Sequence, residues 1–245
     1  MPTRVVFEKE NSTDVILVNR GDEAGDYRLF MRNLRTNDKG KFSEADTAQE
    51  NELFADKMIR YSPRRVKVDA NSKQSVRLVV RKPRGLADGE YRSHLVLRSL
   101  PSQESVLDTT EGEDDIAVAF KPIVEVTIPI IIRHGKLHAT ASVSNTSLTT
   151  NEKGEQEVSL TLGREGNRSL YGDFEFWWEP ANNAKPQRVA TAHGIAVYHP
   201  NPIREIIVKI ETSDSTLIKD GKLRIKFSED PAYGGNAVTE TLLTL

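Results

Sequence analysis

Cysteine is absent from the 245 residues of this chain. Its absence excludes a disulfide framework, a thiolate metal site and a cysteine nucleophile. The cellular compartment stays open, because reducing and oxidising compartments both accommodate a protein without cysteine. No stretch of about 18 consecutive apolar residues occurs, so the sequence predicts no membrane-spanning helix. Met1-Pro2-Thr3 does not resemble a signal peptide, and we expect that any export leader has been removed.

An excess of one charge is also lacking, since 34 Lys and Arg stand against 36 Asp and Glu, for a formal net charge of −2. This balance argues against binding nucleic acid through bulk charge. Hydrophobic residues make up 37% and charged residues 29% of the chain, which is typical of a folded rather than a disordered protein. The length favours two ordinary domains over one large domain.

Enzyme motifs are missing as well. The chain has no Gly-x-Ser-x-Gly, no phosphate-binding glycine loop and no dinucleotide-binding glycine motif. His134 and His138 stand four residues apart, which on a helix could ligate zinc, but the stretch is typical of a strand or linker and lacks the accompanying glutamate. A metal-dependent hydrolase using these two histidines remains one alternative. Arg20-Gly21-Asp22 permits a cell-adhesion interpretation, although we prefer a turn between strands.

Short apolar segments recur between turn residues along the whole chain. This pattern predicts an all-β sandwich fold. The predicted strands cover residues 5–7, 15–18, 27–31, 76–80, 91–97, 158–162, 174–178, 195–198, 205–210, 223–227 and 238–243. Asp220-Gly221 predicts a two-residue hairpin turn between residues 217–218 and Leu223. Residues 44–58 predict a loop or one helical turn.

A domain boundary is predicted at Arg133-His134-Gly135-Lys136. Gly135 ends the longest apolar segment, and a new alternating series begins at Leu137. The predicted domains are therefore residues 1–135 and residues 136–245.

The apolar segment 116–132 is longer than an ordinary strand. Fully extended, it would span more than roughly 50 Å at about 3.3 Å per residue. Pro122 and Pro129 cannot donate to a central ladder, so part of the segment must lie at an edge or a bulge. One interpretation is two successive core strands broken at one of these prolines. The other is an exposed edge that pairs with another chain.

Taken in order, these segments resemble the PapD-like family of immunoglobulin-fold periplasmic chaperones for pilus assembly. The resemblance covers nearly the whole chain. The family's first strand is similar to Thr3-Arg4-Val5-Val6-Phe7, and its second strand and turn are similar to Val15 to Asn19 with Gly21 and Tyr27. Two later strands are similar to Tyr61-Ser62-Pro63-Arg64 and Gln74-Ser75-Val76-Arg77-Leu78, and the sixth strand is similar to Gly89-Glu90-Tyr91-Arg92 through Leu100-Pro101. The end of the seventh strand is similar to Ile131-Ile132-Arg133, and a turn near the C-terminus is similar to Tyr233-Gly234-Gly235.

The resemblance implies two immunoglobulin-like β-sandwich domains in a boomerang arrangement. It implies a periplasmic protein that is not an enzyme, holds no cofactor and does not bind nucleic acid or span a membrane. Its partners would be pilin or fimbrial subunits and an outer-membrane usher. The chaperone would lend its seventh strand to the open groove of an incomplete subunit, and the free chaperone could cap that strand by dimerising. The alternative is an immunoglobulin-like structural or adhesive surface protein that binds through its loops.

The resemblance also implies particular site residues. The donated face would comprise Val118, Phe120, Val124, Val126 and Ile128, while Ile130 and Ile132 would pack in the protein's own core. Arg4 matches the arginine with which the family holds the subunit's C-terminal carboxylate, and a guanidinium suits that group.

Two features of the family's pattern are missing here. The lysine that the family pairs with the anchoring arginine is absent, because Pro129 occupies its place. An interdomain salt-bridge group is implied for Glu90 and Arg133. The second missing feature is the acidic residue that would be the third member of this group, because Ala232 occupies its place. Asp230 would act instead.

Overall fold

Strands make up nearly all of the regular structure in the computed structural model, which describes residues 3–100, 122–182, 184–212 and 217–245. The first ten are β1 (Val5–Phe7), β2 (Ser12–Val18), β3 (Gly25–Arg32), β4 (Leu34–Thr36), β5 (Phe42–Glu44), β6 (Ile59–Ser62), β7 (Arg65–Val68), β8 (Lys73–Val80), β9 (Gly89–Ser99) and β10 (Glu125–His134). The other seven are β11 (Ala139–Thr150), β12 (Gln156–Gly166), β13 (Leu170–Glu179), β14 (Gln187–Val197), β15 (Ile203–Ile210), β16 (Lys222–Glu229) and β17 (Val238–Thr244). Short 3₁₀ turns cover Asp56–Met58 and Pro231–Tyr233. Among the described residues, no helix has the length and apolar character needed to cross a bilayer.

The chain forms two units. Unit 1 comprises Met1–Leu34, Leu53–Ala87 and Tyr91–His134, and unit 2 comprises Arg35–Glu52, Asp88–Glu90 and Gly135–Leu245. Each unit buries one cluster of apolar side chains contributed by two sheets. The predicted all-β sandwich class is therefore confirmed.

Unit 1 contains a five-stranded sheet in the order β1-β10-β9-β3-β7 and a three-stranded sheet in the order β2-β8-β6. β1 pairs with β10 in parallel, with Val5 opposite Ile130 and Phe7 opposite Ile132. Because side chains alternate along a strand, each sheet turns every second residue inward. The core is built this way from Val15 and Leu17 on β2, Leu29 on β3 and Leu95 on β9, among others.

Unit 2 is a sandwich of two antiparallel sheets, in the orders β11-β12-β15 and β14-β13-β16-β17. Its core centres on three phenylalanines that are fully buried. The ring centroid of Phe174 lies 5.1 Å from that of Phe227 and 5.9 Å from that of Phe176. These separations are in the range in which aromatic pairs stabilise a core beyond the area they bury.

The two units do not correspond to a single division of the chain at Gly135, because each unit comprises three segments. The excursion that carries β4 and β5 belongs to unit 2, since the side chain of Asn201 donates to the carbonyl of Thr36 at 2.6 Å and the amide of Glu205 donates to the carbonyl of Asp38 at 2.7 Å. Residues 88–90 also belong there, and the carboxylate of Asp88 accepts from the amide of Lys136 at 3.0 Å. The proposed boundary lies one residue beyond the end of unit 1, but two segments of residues 1–135 fold with the second half.

Two local expectations had different outcomes. The one helical turn expected within residues 44–58 is the 3₁₀ turn Asp56–Met58. The hairpin expected at Asp220-Gly221 is wrong, because residues 217–218 form no strand. Instead, the amide and carbonyl of buried Ile218 bond to the side chain of Gln156, at 2.6 and 2.7 Å. A side chain thus takes the place of the strand partner that a hairpin would have supplied.

A close backbone approach at Gly172 generates the first prediction. A Cβ at this position of β13 would overlap the carbonyl oxygen of Ser228 on β16. We expect Gly172→Ala to lower the free energy of unfolding by about 1–3 kcal/mol, the usual cost of overpacking. Urea denaturation measures this loss. Gly163→Ala is the matched control, because the obstacle there is the Ser142 hydroxyl, which can rotate away. Equal losses in the two variants would contradict the explanation.

Candidate functional site

The candidate site is the N-terminal half of β10 with the residues just before it. Val124 is 55% exposed and Val126 is 39% exposed, whereas Ile128 is 2% exposed and Ile130 and Ile132 are fully buried. All five share even numbering, so they continue one face of one strand. The face of β10 that is buried in the core in the C-terminal half of the strand is therefore exposed to solvent in its N-terminal half.

This burial pattern corrects one expectation and supports another. Ile128 was expected on a donated face, but it packs inside the core of unit 1 and is not accessible to a partner. Ile130 and Ile132 lie in the core, as expected. Val118 and Phe120 lie outside the described residues.

At its beginning, β10 is paired with a neighbouring strand on one side and not on the other. On the β9 side, the amide of Ser99 donates to the carbonyl of Val124 and the hydroxyl of Ser99 accepts from the amide of Val124, both at 2.9 Å. On the other side β1 reaches only from Ile130 to Ile132. In the described part of the chain, no strand covers this side of β10 before Ile130. Within the described residues, the beginning of β10 is therefore an open sheet edge.

Alternation also decides which backbone groups face the open side. Since the polar backbone groups of Val124 point to β9, those of Glu125 and Thr127 point the opposite way, toward the open side. Pro129 follows the same parity, so its missing N–H removes a donor from the open side and leaves the ladder with β9 intact. β10 accordingly runs unbroken through Pro129, and the interpretation of a strand break at this proline is wrong.

The outer face of β10 is held by ion pairs. Glu125 lies 2.9 Å from the guanidinium of Arg32 on β3 and 3.5 Å from that of Arg98 on β9. These partly exposed pairs contribute little stability individually. They do orient the first residues of the strand, since they connect β10 to β9 and to β3 beyond it.

Arg4 lies just before β1 and is buried. Continuing the parallel register of Val5 with Ile130 by one residue places Arg4 beside Pro129. Because the side chain of Val5 packs against the core, Arg4 occupies the opposite, outer face of the sheet. The residue expected to anchor a carboxylate is thus aligned with the proline that replaces the expected lysine.

Two further buried guanidinium groups lie on the same outer face, one on β9 and one on β10. Arg92 alternates with the core residues Tyr91 and Leu95, and Arg133 follows the core residue Ile132. Arg92 donates to the carbonyl of Leu34 at 3.3 Å. Arg92 belongs to a segment that carries the family resemblance, but sequence reasoning gave it no role. The available signal was its spacing in the sequence, because Arg92, His94 and Val96 alternate with the apolar residues of β9 that face the core.

His94 shares this face and is almost completely buried. Its removal from water, together with the nearby positive charge of Arg92, lowers the pKa of His94 to about 3. Burial penalises the charged imidazolium, and a neighbouring cation penalises it further. His94 is therefore neutral at physiological pH.

The acidic members of the implied salt-bridge group lie in unit 2. Buried Glu90 accepts hydrogen bonds from the amide of Ser169 at 3.1 Å and from its hydroxyl. Asp230 accepts from the amide of Ala232 at 2.9 Å and caps the turn Pro231–Tyr233. The grouping of Glu90 and Asp230 with Arg133 stays a prediction.

A buried ion pair next to Asp230 was missed by sequence reasoning. Both guanidinium NH groups of Arg168 donate to Glu229, at 2.6 and 2.9 Å. Burial alone would raise the pKa of Glu229, but the bonds from Arg168 and from the amides of Asn236 and Ala237 lower it below its usual range. The signal was present, because Glu229 continues the buried odd-numbered series of β16 after Phe227, where a charge requires a partner.

The other candidates form no site. Among the described residues, no group of three or more potential metal ligands comes together, and neither His134 nor His138 has such a neighbourhood. Arg20-Gly21-Asp22 forms the bend between β2 and β3, where the amide of Gly21 donates to the side chain of Asn19 at 3.0 Å. The turn interpretation of this tripeptide agrees with that geometry.

Comparison with known proteins gives structural matches only. No family model and no curated protein matches the chain. The CupB2 chaperone of Pseudomonas aeruginosa is 14% identical, with 100% of this chain and 98% of that chain covered and a TM-score of 0.46. A chain of the CsuC–CsuE chaperone–tip subunit complex from Csu pili of Acinetobacter baumannii is 17% identical, with 98% and 95% covered and a TM-score of 0.49. A chain of the Salmonella enterica complex between the SafA pilin and the SafB chaperone is 11% identical, with 99% and 93% covered and a TM-score of 0.45.

These structures contain pilus chaperones, the class that the sequence resembles.

The buried His94 predicts a pH-dependent stability. Below pH 6.5 the unfolded chain takes up a proton on this residue, whereas the folded protein does not until about pH 3. The free energy of unfolding should therefore fall as the pH falls from 7 to 5.5, by up to about 1.4 kcal/mol per pH unit below 6.5. Urea denaturation at several pH values measures this slope.

The control separates His94 from other histidines. His94→Gln should flatten the slope, while His138→Gln, at an exposed position, should leave it unchanged. An unchanged slope in His94→Gln would show that another group is responsible.

Proposed function

We propose that this protein is a periplasmic chaperone that binds pilin or fimbrial subunits by donor-strand complementation and delivers them to an outer-membrane usher. The observation that carries the proposal is β10, whose C-terminal half is core and whose N-terminal half is an open apolar edge. No catalytic step and no cofactor form part of the proposal.

An open edge of this kind favours a strand-pairing partner. Unpaired N–H and C=O groups on an apolar edge are a template for another strand, which proteins normally block. Here Glu125 and Thr127 direct such groups outward, while Val124 and Val126 offer apolar side chains. A partner strand would satisfy the backbone groups and bury the valines, each worth roughly 1.5–3 kcal/mol when fully buried. A second copy of the chaperone could use the same edge when no subunit is present.

The donated face in this proposal is shorter at one end than the sequence suggests. It comprises Val118, Phe120, Val124 and Val126, which share even spacing, and it excludes Ile128. The ion pairs of Glu125 with Arg32 and Arg98 support the proposal, because they hold the strand on the sheet while its other side is free.

We further propose that Arg4 holds the C-terminal carboxylate of the subunit. Its guanidinium can donate two parallel hydrogen bonds to a carboxylate. Pro129 supplies no charge beside it, so this assignment leaves Arg4 as the anchor without the lysine of the family's pattern.

The donor face is tested by Val124→Asp combined with Val126→Asp. We expect this variant to fold, since both side chains are exposed, but to lose at least tenfold in subunit recovery, because a carboxylate cannot enter an apolar groove. The wild-type protein is expressed in the periplasm with the pilin genes of its own genome, and mass spectrometry identifies the captured subunit. Recovery of that subunit with each variant is then quantified.

The matched control introduces the same charges on another exposed strand. Val238→Asp combined with Leu242→Asp changes two exposed apolar residues of β17 in unit 2 and should leave recovery unchanged. Full recovery with the β10 variant would contradict donor-strand complementation.

The anchor is tested by Arg4→Ala with the same subunit. We expect at least a tenfold weaker affinity, measured by calorimetry. Arg84→Ala, which removes an exposed arginine, should have no effect. A subunit extended by two C-terminal residues should bind wild type and Arg4→Ala equally, because its carboxylate no longer reaches Arg4. A difference that persists with the extended subunit would contradict the carboxylate assignment.

A further inference from the structure

An apolar groove opens between the two sheets of unit 1 next to the exposed end of β10. It has a volume of about 380 Å³, and cavities of roughly 300–1,000 Å³ suit small organic groups. Strands of both sheets line it, among them β2 through Leu17 and Val18, β3 through Tyr27, β9 through Leu97, and the beginning of β10 through Val126 with Val124 just before it. No charged side chain is among the lining residues.

Three side chains at the groove carry polar atoms, those of Asn19, Tyr27 and Ser99, and two of them bond within the protein. The amide nitrogen of Asn19 donates to the carbonyls of Glu23, Val68 and Asp69, and its oxygen accepts from Gly21. The hydroxyl of Ser99 accepts from the amide of Val124. Since Asn19 and Ser99 already have partners and the remaining polar group is the single hydroxyl of Tyr27, the groove favours an apolar occupant over a polar one.

The groove is continuous with the proposed subunit contact. Val124 and Val126 belong both to its lining and to the donated face, and Val18 across the groove is 40% exposed. A subunit seated on β10 would therefore lie over the groove opening.

We propose that this groove is a second subunit contact, which receives one large apolar side chain, of phenylalanine or leucine size, from the bound subunit. The proposal rests on the proposed chaperone function. Strand pairing would supply affinity through backbone bonds, and the groove would add selectivity for subunits that carry an apolar residue at the right place.

A small probe tests the groove without any subunit. N-acetyl-L-phenylalaninamide is titrated into the ¹⁵N-labelled full chain and amide shifts are recorded by NMR. We expect shifts confined to residues around Leu17–Asn19, Tyr27, Leu97 and Val124–Val126, and none with N-acetylglycinamide. Shifts elsewhere, or none up to the solubility of the probe, would overturn the proposal.

A matched pair of tryptophan variants sharpens the test. Val18 lies at the rim of the groove, so Val18→Trp should obstruct the opening and reduce the probe-induced shifts at least fivefold. Ile16→Trp, two residues earlier on the same strand and 45% exposed, does not line the groove and should leave the shifts unchanged. Equal effects of the two variants would overturn the assignment of the site.

The subunit experiment separates this proposal from the chaperone function. With the captured subunit, Val18→Trp should weaken binding at least fivefold while Ile16→Trp does not. If Val124→Asp with Val126→Asp abolishes capture but Val18→Trp has no effect, the groove contact is wrong and the chaperone function stands. If neither β10 nor groove variants change capture, the chaperone mechanism itself is wrong.

Discussion

Everything proposed for this protein depends on one strand that is half core and half edge. Ile128, Ile130 and Ile132 are buried almost completely, and their burial fixes the position of β10 on the sheet. The same face then continues into Val124 and Val126, which the two sheets of unit 1 do not cover. A rigid strand whose apolar face is left unfinished loses little entropy when a partner completes it, because the strand is already ordered. The core of unit 1 thereby preorganises the edge.

Charge burial follows a different logic in the two units. In unit 2, Arg168 and Glu229 pair through two short bonds, and the amides after Glu229 complete its acceptor capacity. The net stability that such a pair contributes is small, because desolvation offsets much of the attraction. In unit 1, the outer face of the sheet gathers Arg4, Arg92 and Arg133 near a histidine kept neutral by burial. Arg4, the proposed carboxylate anchor, belongs to this group.

The sequence predicted the strands well, because alternation is a local property. The expected segments 5–7, 76–80 and 223–227 all lie within observed strands. The site was predicted less completely, because exposure is not local. Val126 and Ile128 have the same spacing and similar chemistry, and only the path of the opposing sheet decides that one is exposed and the other buried. Residues 35–52 fold with unit 2 for a similar reason, since their partners lie near residues 201–205 and no pattern within the segment indicates this.

Strand pairing raises a problem of register that the structure addresses. Backbone bonds form equally well at any register, and a slip of one residue turns every side chain to the other face. On β10 such a slip would turn the partner's apolar side chains away from the face that Val124 and Val126 share. Pro129 limits the ladder, because it offers no N–H to the open side. Arg4, aligned with Pro129, then lies where the ladder must stop, and a carboxylate held there would set the register of the whole partner strand. The groove lined by Val18 lies at the opposite end of the exposed edge. By receiving one apolar side chain of the partner, it would favour the same register.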